Sequence, residues 1–321
     1  MEGYTIHKRP KLRNPYLICG WPGMGEVAFK AVNYLVEKLP AEEFAEISAE
    51  EFFYLTGSSV KDGVLIVPEL PSSKFYYWKN KNGKNDIIIF KSSAQPDLSK
   101  AEVYSKRIIH LAKAFKVKTI VSFAAMPQPI DHIQPAGVWL TTTSAELKNK
   151  LKGQRLNILS GGSISGMNGL FLSLAKKEGL EGFCLLGEIP LYTIQVENPK
   201  ASYAVLEALS RVINIQLDYS ELLNQAHAME AEINKLLDYL KLGNPLGPIN
   251  EEDIEKIKKS LSQLTKLPPS IKDKIEQLFK EARGDISRAG ELKVALDNWN
   301  VYKEYEDRFL DLFKKSRDKG N

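Results

Sequence analysis

Cysteine is nearly absent, with two in 321 residues, which excludes a disulfide scaffold and leaves no thiol set for a structural zinc. Cys19 and Cys184 both fall in short apolar runs, where a thiol acts as a small core residue. Histidine is scarce as well. None of His7, His110, His132 and His227 stands at metal-ligand spacing from another histidine, a cysteine or an acid, so no metal is expected. No run approaches the ~20 apolar residues that a membrane span requires, and the opening Met1-Glu2-Gly3-Tyr4 lacks a charged-then-apolar leader. A cytoplasmic protein without membrane attachment is the expectation. Neither sign of charge dominates: 44 Lys and Arg stand against 40 Asp and Glu, a net of +4, so bulk charge gives no reason to expect a nucleic-acid partner.

What is present is ordinary globular material, 43% hydrophobic and 26% charged, long enough for a full α/β core with length left for a smaller unit. Two glycine turns stand out, Gly20-Trp21-Pro22-Gly23-Met24-Gly25 and Gly161-Gly162-Ser163-Ile164-Ser165-Gly166-Met167-Asn168-Gly169. Each follows a short apolar run and feeds an apolar helical pattern, the crossover unit of a parallel α/β sheet. Strands are expected at 16–19, 64–67, 86–90, 119–123, 156–159 and 183–186, with helices at 26–39, 99–115, 170–178 and 199–213 between them. The spacing predicts a mostly parallel sheet with flanking helices. Ser99, with Glu102 three residues on, reads as the cap of the second helix.

After Asp218 the alternation gives way to continuous helix. Leu222, Ala226, Met229, Ile233, Leu236 and Leu240 recur at intervals of four, three, four, three and four, the seam of a helix that packs against a partner. Leu222, Met229, Ile233, Leu236 and Leu240 are therefore the candidate contacts of a homo-oligomer. Two prolines and two glycines in 243–248 stop the helix. The expected division is an α/β core over 1–242, a linker at 243–250 and an all-helical extension over 251–321, with amphipathic stretches at 251–264, 270–283 and 285–315. That extension holds sixteen basic and fifteen acidic residues, the balance of a solvated bundle rather than of a nucleic-acid tail.

The chemistry-bearing positions are few. The first turn has its glycines as G-x-x-G-x-G, not the dinucleotide G-x-G-x-x-G, and Pro22 lacks an N–H for a pyrophosphate. Gly161 and Gly166 have P-loop spacing, but Met167 and Asn168 stand where Lys and Ser or Thr would touch phosphate and magnesium. No cofactor is implied. The backbone donors of these turns suit a small anion or a partner's carboxylate; the plainer role of the glycines is tight turning and close helix packing. Gly23, Gly25, Gly162, Ser163, Ser165, Gly166 and Asn168 are the candidate contacts there. Ser163 and Ser165 lack the serine-between-glycines elbow of hydrolases and read as helix-capping hydroxyls. Past predicted strand ends lie Asp131-His132, a weak acid-base pair, and Glu188, a candidate partner contact, helix cap or base.

These blocks together resemble the proteasome assembly chaperone 2 family. The first glycine turn and the helix with Tyr34-Leu35-Val36 match its opening. Gly162 to Leu170, Leu185-Leu186-Gly187-Glu188-Ile189-Pro190, Asn198-Pro199-Lys200-Ala201 and the helix over 222–233 follow in the family's order, within residues 12–240. The resemblance implies a phosphorylase- or hydrolase-like α/β fold and a non-catalytic chaperone that docks on α-type subunits of the 20S proteasome, commonly as an oligomer. Some archaeal members end in a hydrophobic residue, tyrosine and any residue; this chain ends Asp318-Lys319-Gly320-Asn321, so tail insertion of that kind is not expected. The extension after Pro248 is not explained by the family pattern. Two rival readings stand: an enzyme of phosphorylase or hydrolase type holding phosphate or another anion at Gly161–Gly169, and a scaffold with no proteasome link.

Overall fold

Apolar runs bounded by turn residues become the centre of one sheet in the computed structural model, which describes residues 3–55, 57–242, 269–299 and 301–317. Its strands are β1 (Tyr4–Ile6), β2 (Tyr16–Gly20), β3 (Glu42–Ile47), β6 (Ser73–Trp78), β7 (Ile87–Ser92), β8 (Thr119–Gln128), β9 (Val138–Thr142), β10 (Asn157–Ile158) and β11 (Glu181–Pro190), in the order β1-β3-β6-β7-β2-β8-β11-β9-β10. The central four, β7, β2, β8 and β11, run parallel; β1, β3 and β6 on one side and β9 on the other run antiparallel, and β10 lies parallel to β9.

Side-chain alternation explains the layering. Ile18, Ile89, Phe123 and Leu185 face helices α1 (Val27–Lys38) and α5 (Pro199–Ile213), while Leu17, Phe90, Ile120 and Leu186 face α2 (Ala101–Ala114) and α4 (Met167–Lys177). A short α3 (Ala145–Leu151) follows β9, and α6 (Ser220–Leu242) packs beside α5 through Leu222 and Ala226. None of the described helices is long and apolar enough to cross a membrane.

The sheet is mixed rather than uniform because four strands were hidden in the sequence. β3 begins with two exposed glutamates, β1 and β9 are short, and β6 opens Ser73-Lys74 before four consecutive aromatics. The run at 64–67 is not a sheet strand. Asp62 and Gly63, at φ 50° and 78°, close a two-residue turn that pairs β4 (Ser59–Lys61) with β5 (Val64–Ile66) in a separate hairpin. The strand expected at 156–159 shrinks to the edge pair β10. Ser99 does not cap the second helix: it lies inside a 3-10 turn at Leu98–Lys100 that leads into α2, and Asp97 caps that turn, its carboxylate accepting the Ser99 N–H at 2.9 Å.

Beyond α6, the linker at 243–250 and the stretch 251–264 lie outside the described residues. The next stretch forms α7 (Pro269–Gly284). The last is not one helix: a 3-10 turn at Ile286–Arg288 precedes α8 (Ala289–Asn298), and α9 (Tyr302–Arg317) follows a break where the Val301 N–H bonds Leu296 O at 3.0 Å. Phe279, Leu292, Leu296, Trp299 and Phe309 are buried among these helices, in an apolar cluster continuous with the α1 and α5 side of the sheet.

Candidate functional site

The parallel strands β2, β8 and β11 deliver their carboxyl ends to one edge of the sheet, where crevices form in α/β folds. Both glycine turns meet there. Trp21 is fully buried, its ring between Phe90 at 5.3 Å and Phe171 at 5.5 Å, which pins the first turn to the α4 face. Asn168, 5% exposed, then bonds both backbone groups of Trp21: its Oδ1 accepts the Trp21 N–H and its Nδ2 donates to Trp21 O, each at 3.0 Å. Gln95 makes a second bridge, donating from Nε2 to Pro22 O at 2.6 Å and accepting the Met167 N–H at 3.0 Å. Two carboxamides thus lock the turns together, using backbone groups that would otherwise face a ligand.

The turns enclose a cleft of about 250 Å³ whose lining includes Gly23, Met126, Ser163, Ser165, Gly166 and Asn168. Gly25 lies behind it, donating its N–H to Ile194 O at 2.8 Å, and Gly162 is exposed. Ser165 is exposed, whereas Ser163 Oγ is buried without a protein partner. Among the described residues no ionisable side chain lines this cleft, so no group stands ready to take a proton from Ser163. The buried thiols do not serve either. Burial pushes Cys19 upward and Cys184 up to about 12, far from thiolate chemistry.

Glu188 sits elsewhere. Its carboxylate accepts the Gly137 N–H at 2.9 Å and the Trp139 indole N–H at 2.7 Å, tying β11 to β9. It borders a second, nearly filled pocket of about 20 Å³ with His132, Lys200, Met229, Glu230 and Ile233. His132 is 7% exposed; its Nδ1 lies 2.9 Å from both Asp131 Oδ1 and Tyr192 OH, and its Nε2 2.9 Å from Asn234 Oδ1. Lys200 donates to His132 O and Gln134 O and pairs with Glu230. Adjacent Asp131 and His132 do face one another, against the usual geometry of neighbours, and His132 through Asn234 and Lys200 through Glu230 fasten α6 to the body of the protein.

The helical seam therefore divides. Leu222 is fully buried, Met229 and Ile233 are half-buried over the His132 pocket, and Leu236 is 56% exposed. The side chain of Leu240 lies outside the described residues. Gln95 and Trp21 are the functional neighbours that local sequence did not mark. Gln95 sits 73 and 72 residues from its two partners, and its one signal is its place just past a strand end. A bulge between Glu43 and Ala45 also gathers donor atoms of His7, Glu43 and Glu46 within 4.8 Å, with Lys74 Nζ 3.1 Å from Glu43 as counter-charge.

One carboxyl beside the first turn titrates abnormally. Burial holds the Glu26 pKa above the usual carboxylate range, Glu197 adding to the rise and a backbone bond at Gly23 opposing it. The folded state thus binds this proton more tightly than the unfolded chain. Its stabilising share is complete below the unfolded value of about 4.3 and is lost as pH rises through the folded value. Glu26→Gln is expected to raise the melting temperature near neutral pH and to leave it unchanged at about pH 3.5. Calorimetry at the two pH values checks this; an equal shift at both contradicts it.

Together the mixed sheet of mostly parallel strands, its flanking helices and the amide-locked turns define an α/β protein with added C-terminal helices. Residues 17–237 match the PAC2 family model, and the chain belongs to the PAC2 family. It is 32% identical over 253 residues to the uncharacterized protein MJ1210 of Methanocaldococcus jannaschii, covering 77% of this chain and 93% of that one. Among solved structures it is similar to Pyrococcus furiosus PbaB, described as an archaeal proteasome activator, with TM-score 0.63 and 26% identity over 74% of this chain and 99% of that one. It is also similar to Pyrococcus furiosus PbaA, described as an archaeal homolog of proteasome-assembly chaperone, with TM-score 0.56 and 26% identity over 73% of this chain and 96% of that one.

Proposed function

We propose that this chain is a non-catalytic, proteasome-assembly-chaperone-like protein of the cytoplasm that self-associates and docks on α-type subunits of the 20S proteasome. The observation that carries the reading is the locking of the two glycine turns by Asn168 and Gln95 over a cleft whose described lining has no ionisable side chain. Such a site positions surfaces and moves no protons. Family membership and the likeness to PbaB and PbaA support it. The core over 1–242 is the docking unit in this account, the C-terminal helices an added contact surface, and the exposed Leu236 on α6 the point nearest a partner.

Native mass measurement of the pure protein, alone and with a 20S preparation, tests the reading. A self-associated species and a new complex containing 20S are the expected results. Leu236→Glu, a change on an exposed position, should lower the oligomer mass or release the complex without altering the melting temperature. A monomer that leaves the 20S mass unchanged contradicts the proposal.

A further inference from the structure

The net charge of +4 conceals a strongly uneven distribution. At the edge of the sheet opposite the cleft, where β2, β7 and β8 begin and β6 ends, the fold gathers exposed Arg9, Lys11, Lys79, Lys81, Lys84 and Lys118. They come from three separate stretches, which is why composition does not reveal them. None of the six forms a salt bridge with a described carboxylate, and none lies in the last turn of a helix, where the macrodipole would account for it.

The acids nearby are already engaged. Asp86 is 5% exposed and spends its carboxylate on two backbone N–H groups, Arg13 at 2.6 Å and Asn80 at 3.0 Å. Arg13 in turn donates to Asn80 O at 3.1 Å and to Gly83 O, and Asn85 Nδ2 donates to Asn14 O at 2.8 Å. These bonds fix the 79–85 loop against the arm before β2, so the cations around it are held on a preorganised frame. Glu42 is taken by Lys8 and Tyr77, and those bonds hold its carboxyl below the usual range.

Beside this frame runs an open groove of about 630 Å³ between the 78–82 loop and the corner joining α5 to α6. Exposed Asn82, Asn214 and Gln216 line it with Lys79 and Lys81, while Asn80 is 6% exposed and its Oδ1 accepts the Asn82 N–H at 3.2 Å. Carboxamides offer both donors and acceptors, the complement of a peptide backbone. The one aromatic in the lining, Trp78, is half-buried, so the groove presents no exposed ring on which bases would stack.

We propose that this edge binds an acidic, extended segment of a partner protein, its backbone along the amide-lined groove and its carboxylates on the surrounding lysines and arginine. The charge complementarity steers such a partner and fixes its orientation. This goes beyond the proteasome reading and does not rest on it, since a synthetic peptide serves as the probe.

Fluorescence anisotropy of a labelled glutamate-serine repeat peptide with the whole protein tests the assignment. Lys79→Glu with Lys81→Glu is expected to weaken binding about tenfold or more, while reversal of two charges on the C-terminal helices, Lys280→Glu with Lys303→Glu, changes it less than about twofold. Unchanged melting curves establish that both variants are folded. As a second measurement the native protein should lose the peptide as salt rises. Equal losses in the two variants, or no binding by the native protein at low salt, overturn the proposal. An oligouridylate of equal charge bound more tightly than the peptide also overturns it, making nucleic acid the occupant.

Discussion

Asn168→Ala is expected to destabilise the fold by roughly 2–6 kcal/mol, because it leaves a buried N–H and a buried C=O of Trp21 without partners at about 1–3 kcal/mol each. For a domain of this size that corresponds to a fall of about 5–15 °C in melting temperature. The loss falls on the link between sequence and architecture, since Asn168 bridges turns 147 residues apart. Asn168→Asp supplies the control. It keeps the acceptor for the Trp21 N–H but faces Trp21 O with a second acceptor, so it should be at least as damaging near neutral pH. The buried carboxyl regains a donor when protonated, so part of the loss should return in acid. A melting temperature within about 1 °C of the native value in the alanine variant would mean that the bridge is dispensable.

Gly166→Val has the other large expected effect. Gly166 sits at φ 70° and ψ −176°, a region open in practice to glycine alone, where any other residue costs about 1–3 kcal/mol of backbone strain. A Cβ there would also lie 3.2 Å from Gln95 Nε2, and the branched valine would displace the second bridge between the turns. A combined loss of about 3–5 kcal/mol follows. Gly166→Ala carries the backbone strain and the Cβ contact with Gln95 but lacks the γ-methyl groups, so its difference from valine measures the branching alone. Urea unfolding of the two variants should therefore rank valine well below alanine and alanine below native. Native-like midpoints in both would contradict the conformational requirement.

Much of this architecture is written locally. The Gly20–Gly25 and Gly161–Gly169 turns announced themselves through residue type, and helices α1, α2, α4 and α5 through apolar spacing, because turn chemistry and helical periodicity act over a few residues. The antiparallel flanks did not. Glu42 and Glu43 open β3 with charge, and β6 opens on Ser73-Lys74, so their strand character comes from pairing with distant neighbours. The 64–67 run misled for the opposite reason. Its apolar side chains read as core, but Asp62-Gly63 closes a hairpin that leaves Val64 and Leu65 exposed.

At the site, residue type located Asn168 and Gly166 but not what they do. Asn168 was a candidate for partner contact, yet the structure shows its amide committed to Trp21. Such a commitment is invisible without the turn it bridges. Gln95 had no local signal beyond its position after a strand. The helical seam was read as one surface, but its residues divide between the body of the protein and solvent because α6 packs beside α5 at Leu222 and Ala226 and is exposed at Leu236.

Hydrogen exchange of the backbone amides, with the protein free and then bound to 20S, tests the central claim most directly. The bonded amides of the locked turns, Trp21, Gly25 and Met167, should be slow in the free protein and unchanged on binding, while those of the exposed half of α6 slow in the complex. Turn amides that exchange freely in the isolated protein and become protected only when a small anion is added, with α6 unaffected by 20S, would contradict it.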